Sequence, residues 1–435
     1  MSKLEKIYPN SAGIDIGSEK VFVAIEDKEV KQFPTFTEAY IKLIDYLKEN
    51  NITHVAMEAT GIYWFALYDM IERSGIKVSL VNPREVKNVP GRKSDVADCQ
   101  WIQQLYSFGL LRECFVPEES IRQLRTYIRL RNDHISMASQ HIQHMQKALD
   151  SMNIKLHNVI SKINGVSGMR ILKAILKGER NPETLVNLCE NSILNKKKSL
   201  VISSLKGNFR TDYIFALRQA VSSYEFYQQQ ILECDKQIEI LLNKMTKDKP
   251  LPDNINPPKP IRHNPPQIDK LHEKLMQLTD GKDPSQITGL SDKTLMEAIA
   301  ATGLDLQSNW KNEKYYVSWL GLSPSKNQSG KSNKKSKRKC NTQADQIFRE
   351  AAQSIANSKY SALAGFYRRI KARKGGLVAN KATARKIAVT YYNIMTKGYD
   401  YVEQGLIQYQ KNFKEQQIKR LKKQAKYLGL QVILE

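Results

Sequence analysis

Acid is what this chain is short of. Its 44 aspartates and glutamates face 68 lysines and arginines, for a net charge of +24. An imbalance of that size implies a polyanionic partner, while leaving the fold open. Cysteine is scarce as well. The five, Cys99, Cys114, Cys189, Cys234 and Cys340, are scattered, with no pair at metal-ligand spacing. An odd, unpatterned set excludes a disulfide framework and suits a reducing cytoplasm. Long apolar runs are missing too: nothing approaches the ~20 residues that a membrane span needs. Met1–Tyr8 has no apolar core of the signal-peptide kind, so a soluble cytoplasmic protein without a membrane partner is expected. The 435 residues leave room for two or three domains.

Four of the scarce acids stand where acid is costly. Asp15 interrupts the apolar run Ala12-Gly-Ile-Asp-Ile-Gly17, and a charge inside a buried-strand pattern costs free energy unless something binds it. Glu58 ends a second run, His54-Val-Ala-Met-Glu58. Asp95 and Asp98, in Lys93-Ser-Asp-Val-Ala-Asp98, are three apart and share one face if the segment is helical. Singly, each reads as a strand end or a solvated helix face; only their conjunction points to chemistry. Converging carboxylates repel one another, and the usual remedy is divalent cations on oxygen ligands. Two Mg²⁺ about 3.5–4 Å apart is the common arrangement for cutting phosphodiesters. A metal-dependent enzyme acting on nucleic acid is therefore expected.

The patterning supplies a scaffold for them. Ser11–Ser18, Lys20–Glu26 and Glu29–Phe36 read as a three-strand meander. Helix Thr37–Glu49, strand His54–Ala59, helix Ile62–Ser74 and strand Lys77–Val81 follow. Three strands, then alternating helix and strand, is the order of an α/β RNase H-like domain. Pro117–Lys155 is helical, and Arg122, Arg125, Arg129 and Arg131 load its first turns with charge suited to a phosphate backbone. Tyr224, Tyr227, Ile231, Cys234, Ile238, Leu241 and Met245 alternate by three and four, which reads as a coiled-coil arm or a long amphipathic helix packed on its own chain; an antiparallel hairpin with the 117–155 helix satisfies both. Asp248–Gln267 holds seven prolines and reads as a stiff linker. Beyond it, Ile287-Thr-Gly-Leu-Ser-Asp-Lys-Thr294 before an expected helix Leu295–Thr302 resembles a helix-hairpin-helix element, with Ser291 in place of the second glycine. Lys326, Lys331, Lys334, Lys335, Lys337, Arg338 and Lys339 then form a basic loop without acid, expected to bind nucleic acid. Helices resume at Gln343–Ser358, Ser361–Arg373 and Lys381–Lys397, and Lys411–Tyr427 is a basic amphipathic helix. His141 and His144 share a helix face without a third ligand and read as polar surface; Tyr63 and Trp64 read as core, with stacking on a base the lesser alternative.

These residues resemble a known family. Asp15 in Gly-Ile-Asp-Ile-Gly, Glu58 in Met-Glu-Ala-Thr-Gly, and Asp95 with Asp98 are similar to the Asp-Glu-Asp-Asp transposases of bacterial insertion sequences. These are the "one-ten" and "eleven-eleven" groups, relatives of Piv-type DNA invertases. Trp319-Leu-Gly-Leu-Ser-Pro324, Gln328-Ser-Gly330 and Phe348-Arg-Glu-Ala-Ala352 match their C-terminal signature. The resemblance implies a RuvC-like catalytic domain over 1–112, a helical, coiled-coil region over 113–247 and the proline-rich linker at 248–268. A mainly α transposase domain over 269–410 and a basic tail over 411–435 complete it. It further implies Mg²⁺ (two ions, Mn²⁺ an alternative) on Asp15, Glu58, Asp95 and Asp98. By position it makes Ser329 the nucleophile, with Ser325, Ser332 and Ser336 close by. Donor and target DNA, a guide RNA from the element itself, and a dimeric or tetrameric assembly are its implied partners. The family's Lys-x-Gly-Asn turn is here Lys339-Cys340-Asn341. Two other readings remain: a Holliday-junction type nuclease using water, and a non-catalytic nucleic-acid-binding scaffold.

Overall fold

The computed structural model describes residues 5–59, 61–83, 95–253, 255–324, 328–329, 332–333, 343–356, 358, 361–398, 411, 414–415 and 418–430. The chain divides into two compact units, Met1–Val116 and Pro117–Glu435.

In the first unit, β1 (Ser11–Ile16), β2 (Lys20–Ile25) and β3 (Lys31–Pro34) form an antiparallel meander. Strands β4 (His54–Glu58) and β5 (Lys77–Val81) then add in parallel on the other side of β1, giving the order β3-β2-β1-β4-β5. This is the mixed sheet expected of an RNase H-like domain. Successive residues of a strand point to opposite faces, and each face has its own cover. Ala12, Ile14 and Ile16 of β1 and Val55 and Met57 of β4 join the larger core with residues of α1 (Thr37–Glu49) and α2 (Trp64–Arg73). The opposite face is covered by α3 (Asp95–Ser107), whose Ile102 and Tyr106 pack with Ala56, Val81 and Leu111. Gly13 makes that approach close: a Cβ there would stand 2.3 Å from the Cys99 carbonyl oxygen and 2.4 Å from the Gln103 amide nitrogen.

The second unit is helical. Its frame is α4 (Glu119–Ser151) packed along its length on α8 (Thr211–Thr246). The two run antiparallel: Arg131 meets Asp235, His141 stacks on Tyr227, and Met145 and Leu149 share a core with Leu217 and Val221. Between them α5 (Val166–Leu176), α6 (Pro182–Val186) and α7 (Asn191–Ser204) close the far end of the pair over that core. His141 is half-buried against Tyr227 rather than plain polar surface.

The proline-rich segment is fastened to its own unit. Gln267 N–H donates to Asp235, the Asn264 carbonyl accepts from Arg131, and Lys259 donates to the carbonyls of Ser285 and Ile287. After α9 (Leu271–Leu278) comes α10 (Asp292–Thr302), three residues longer at its start than its apolar pattern suggests. The Ser291 side chain caps it by accepting from Thr294 N–H. The preceding Gly289 packs its Cα against the Ala351 carbonyl, 2.7 Å from where a Cβ would be. The hairpin glycine thus serves a close approach within this chain. Helices α11 (Leu306–Asn309), α12 (Glu313–Trp319), α13 (Gln343–Ile355), α14 (Ala362–Lys374) and α15 (Gly376–Lys397) complete the unit. Trp310, Tyr316, Trp319, Phe348, Tyr391 and Tyr392 form an aromatic core among them. No helix among the described residues is long and apolar enough to cross a membrane.

Candidate active site

The four acids gather at the carboxyl ends of β1 and β4. Ile14 is level with Met57 in the parallel β1/β4 pair, so Asp15 and Glu58 come next in register on adjacent strands. Neighbouring parallel strands lie about 4.8 Å apart, and residues in register share a face. Gly13 and Ala56 fix which face: both lie under α3, so Asp15 and Glu58, two residues on, lie on the α3 side as well. Helix α3 carries Asp95 and Asp98 in its first turn and Cys99 above Gly13, which brings that turn to the same place. Glu58 is buried, Asp15 and Asp98 are half-buried, and Asp95 is exposed.

The electrostatics report the crowding. Asp15 has its pKa raised to about 6, first by burial and then by the charges of Glu58, Asp95 and Asp98. Burial and the nearby Asp15 push the Cys99 thiol up to about 12, so this cysteine is an inert packing residue. Among the described residues, no three His, Cys, Asp or Glu side chains lie close enough together to hold one metal ion. The acids form a loose cluster in which like charge repels. An all-oxygen, multiply anionic donor set of this kind fits a hard divalent cation such as Mg²⁺.

Just beyond Glu58 the chain leaves apolar side chains in solvent. Tyr63 is 48 % exposed, Ile62 75 % and Phe65 41 %, with Trp64 stacked on Phe65 at 4.0 Å between ring centroids. Tyr63 is therefore not the core residue expected of it. These rings directly follow the strand that ends in Glu58, and an apolar pattern alone does not distinguish a displayed ring from a buried one.

The basic residues expected at nucleic acid separate into two groups. Arg131 is 1 % exposed, and its Nε donates to Asp235 at 2.5 Å between α4 and α8. Arg125 donates from Nε and Nη2 to the carbonyls of Ala300 and Ala301 at the end of α10. Its burial, with Arg129 and Arg122 nearby, lowers its pKa to about 10. Both guanidiniums are spent on the fold, because a charge on a helix interface must be paired there or removed. Arg122 donates to the Pro117 carbonyl at a half-buried position, and Arg129 donates to Gln343 at an exposed one. Lys326, Lys331, Lys334, Lys335, Lys337, Arg338 and Lys339 lie outside the described residues.

Ser329 belongs to the second unit. With Gln328 it forms β6 (Gln328–Ser329), paired antiparallel with β7 (Ser332–Asn333) in the register Ser329 to Ser332. The signature motifs around it are packing residues. Leu320 and Leu322 are buried after α12, and Phe348, Ala351 and Ala352 form the inner face of α13.

Two family models match the chain. Residues 12–154, which contain all four acids, match a transposase model of the DEDD type of the IS110 group. Residues 285–368, which contain Ser329, match "Transposase IS116/IS110/IS902 family". No curated protein sequence matches. The two segments together cover just over half of the 435 residues. The chain belongs to the IS110 family of insertion-sequence transposases, DNA-recombining enzymes of the DEDD type.

Proposed function

We propose that this transposase cuts and rejoins DNA strands through Ser329, with Asp15, Glu58, Asp95 and Asp98 as the ligands of two Mg²⁺ ions. The observation that carries this reading is the in-register placement of Asp15 and Glu58 under the first turn of α3. When bound, the ions would stabilise charge developing on the attacking and leaving oxygens. The Ser329 hydroxyl gives up its proton, its oxygen bonds to phosphorus, and a deoxyribose oxygen leaves with a proton. One phosphoester breaks as another forms, so bond energy is conserved and a second exchange can rejoin the strand without ATP. Its acids and serine lie in different compact units, and family resemblance supports a site shared between subunits of a dimer or tetramer. The large positive charge and the same resemblance support a guide RNA from the element, with donor and target DNA as its pairing partners.

Covalent trapping tests the chemistry. Incubation with the DNA of the element's ends and Mg²⁺ should yield a protein–DNA adduct that survives denaturation. Ser329→Ala should abolish it, whereas Ser325→Ala, Ser332→Ala and Ser336→Ala keep it. Undiminished cutting by Ser329→Ala would instead establish a water-using nuclease of the Holliday-junction type. Sequencing the RNA that co-purifies with the protein tests the guide: a discrete transcript from DNA flanking the reading frame is expected, and random fragments would refute it.

A further inference from the structure

Residues 351–399 contain ten lysines and arginines and not one aspartate or glutamate. Helices α14 and α15 lie within this acid-free stretch and pack on each other. They are joined by Gly375 alone, whose φ of 83° lets the chain reverse without strain. Lys371, Arg373 and Lys374 stand exposed on the last turn of α14. Directly after the reversal, Leu377 is 91 % exposed and Val378 47 % exposed. The inner stripe of α15, including Ala384, Ala388 and Tyr391, is fully buried; Leu377 continues that stripe beyond the point where other helices cover it. A single exposed leucine on a polar surface would need no explanation. Two adjacent aliphatic side chains at the tip of a cationic helical hairpin do.

We propose that the α14–α15 tip is a DNA-bending wedge: Lys371, Arg373 and Lys374 hold the phosphates of duplex DNA while Leu377 enters a base step from the minor groove. Cations concentrated at one end match a polyanion, and the apolar tip supplies what phosphate contacts lack, a surface to cover an unstacked base face. Duplex DNA is the favoured occupant because the chain belongs to a DNA transposase family and because an aliphatic wedge has a base step to open there. The inference rests on the family membership and not on the carboxylates or Ser329, so it can fail while the chemistry stands, and the reverse.

The test uses the full-length protein without Mg²⁺, so that no cutting occurs. The probe is a short duplex with 2-aminopurine at a central TA step and dyes at its two ends. Wild type should brighten the 2-aminopurine and shorten the end-to-end distance. Leu377→Ala should lose both signals while its affinity falls by no more than about tenfold, since phosphate contacts supply most of the binding. Arg373→Gln and Lys374→Gln should each weaken binding and lower the salt slope by about one. Both sites are exposed, and circular dichroism matching wild type confirms folding. Unchanged 2-aminopurine and bending signals in Leu377→Ala would overturn the wedge. So would unchanged affinity and salt slope in the two charge variants, or these effects appearing only with structured RNA or anionic vesicles in place of duplex DNA.

Discussion

Replacing Gly13 with alanine should disable strand cleavage in a protein that still folds. The new Cβ would sit 2.3 Å from the Cys99 carbonyl oxygen and 2.4 Å from the Gln103 nitrogen, both backbone atoms of α3. Real Cβ contacts do not fall below 3.0 Å, so α3 must retreat from β1 by 0.7 Å or more. Overpacking of this kind costs about 1–3 kcal/mol. The larger effect is geometric, because the moving helix carries Asp95 and Asp98 while Asp15 stays on the strand. A misplacement on the order of 1 Å can cost ~10²-fold in rate. Gly75→Ala is the matched control: its φ of 86° strains any side chain, yet no atom lies within 4 Å of the new Cβ. That left-handed strain costs roughly 1–2 kcal/mol, comparable to the Gly13 penalty. Urea unfolding should show similar losses of stability in the two variants. Excision of the element from a reporter plasmid, and cleavage of its end DNA in vitro, should fall ~10²-fold only in Gly13→Ala. Wild-type cleavage by Gly13→Ala, or an equal loss in Gly75→Ala, would refute the placement of α3 as what sets the acid geometry.

Asp235→Ala should destabilise the protein by about 3–5 kcal/mol in denaturant unfolding, because it leaves Arg131 buried without its carboxylate. The double variant Arg131→Met with Asp235→Leu should recover most of that loss and keep wild-type DNA affinity; a drop in affinity would return Arg131 to the phosphate contacts. The raised pKa of Asp15, about 6, means that the folded state holds this proton more tightly than the unfolded chain. The contribution of this group to stability therefore falls as pH rises from about 4 through about 6. Divalent cation should consequently raise the melting temperature more at neutral pH than at about pH 5, and equal shifts would contradict the charge crowding. Tyr63→Ala should weaken binding of single-stranded DNA by about 1–3 kcal/mol, because it removes an exposed ring on which a base can stack, and unchanged binding would assign the ring to the unit's own surface.

Much of the first unit was legible in the sequence because its strands are short apolar runs closed by turn residues. Helix Thr37–Glu49 and strand Lys77–Val81 fall where periodicity puts them. Asp15 stood out because a charge in an apolar strand has few explanations, and Glu58 because it ends a second apolar run, whereas the register of that run against β1 was not readable. The side facing α3 was not legible. That Gly13 lies against Cys99 and Gln103 is a long-range contact, and spacing within one strand carries no signal for it. The arginines of α4 misled for a related reason. Arg131 and Arg129 are two apart and so lie on different sides of the helix, but which side faces α8 depends on Asp235, over a hundred residues away. The tip at Leu377 escaped notice because α15 begins at Gly376, five residues before its expected start.

Anomalous scattering from crystals grown with Mn²⁺ probes the acidic cluster itself. Two peaks about 3.5–4 Å apart are expected, bounded by Asp15, Glu58, Asp95 and Asp98, and both should vanish in Asp15→Asn. Manganese bound elsewhere, with the four carboxylates vacant at saturating metal, would contradict a divalent-cation centre at the ends of β1 and β4.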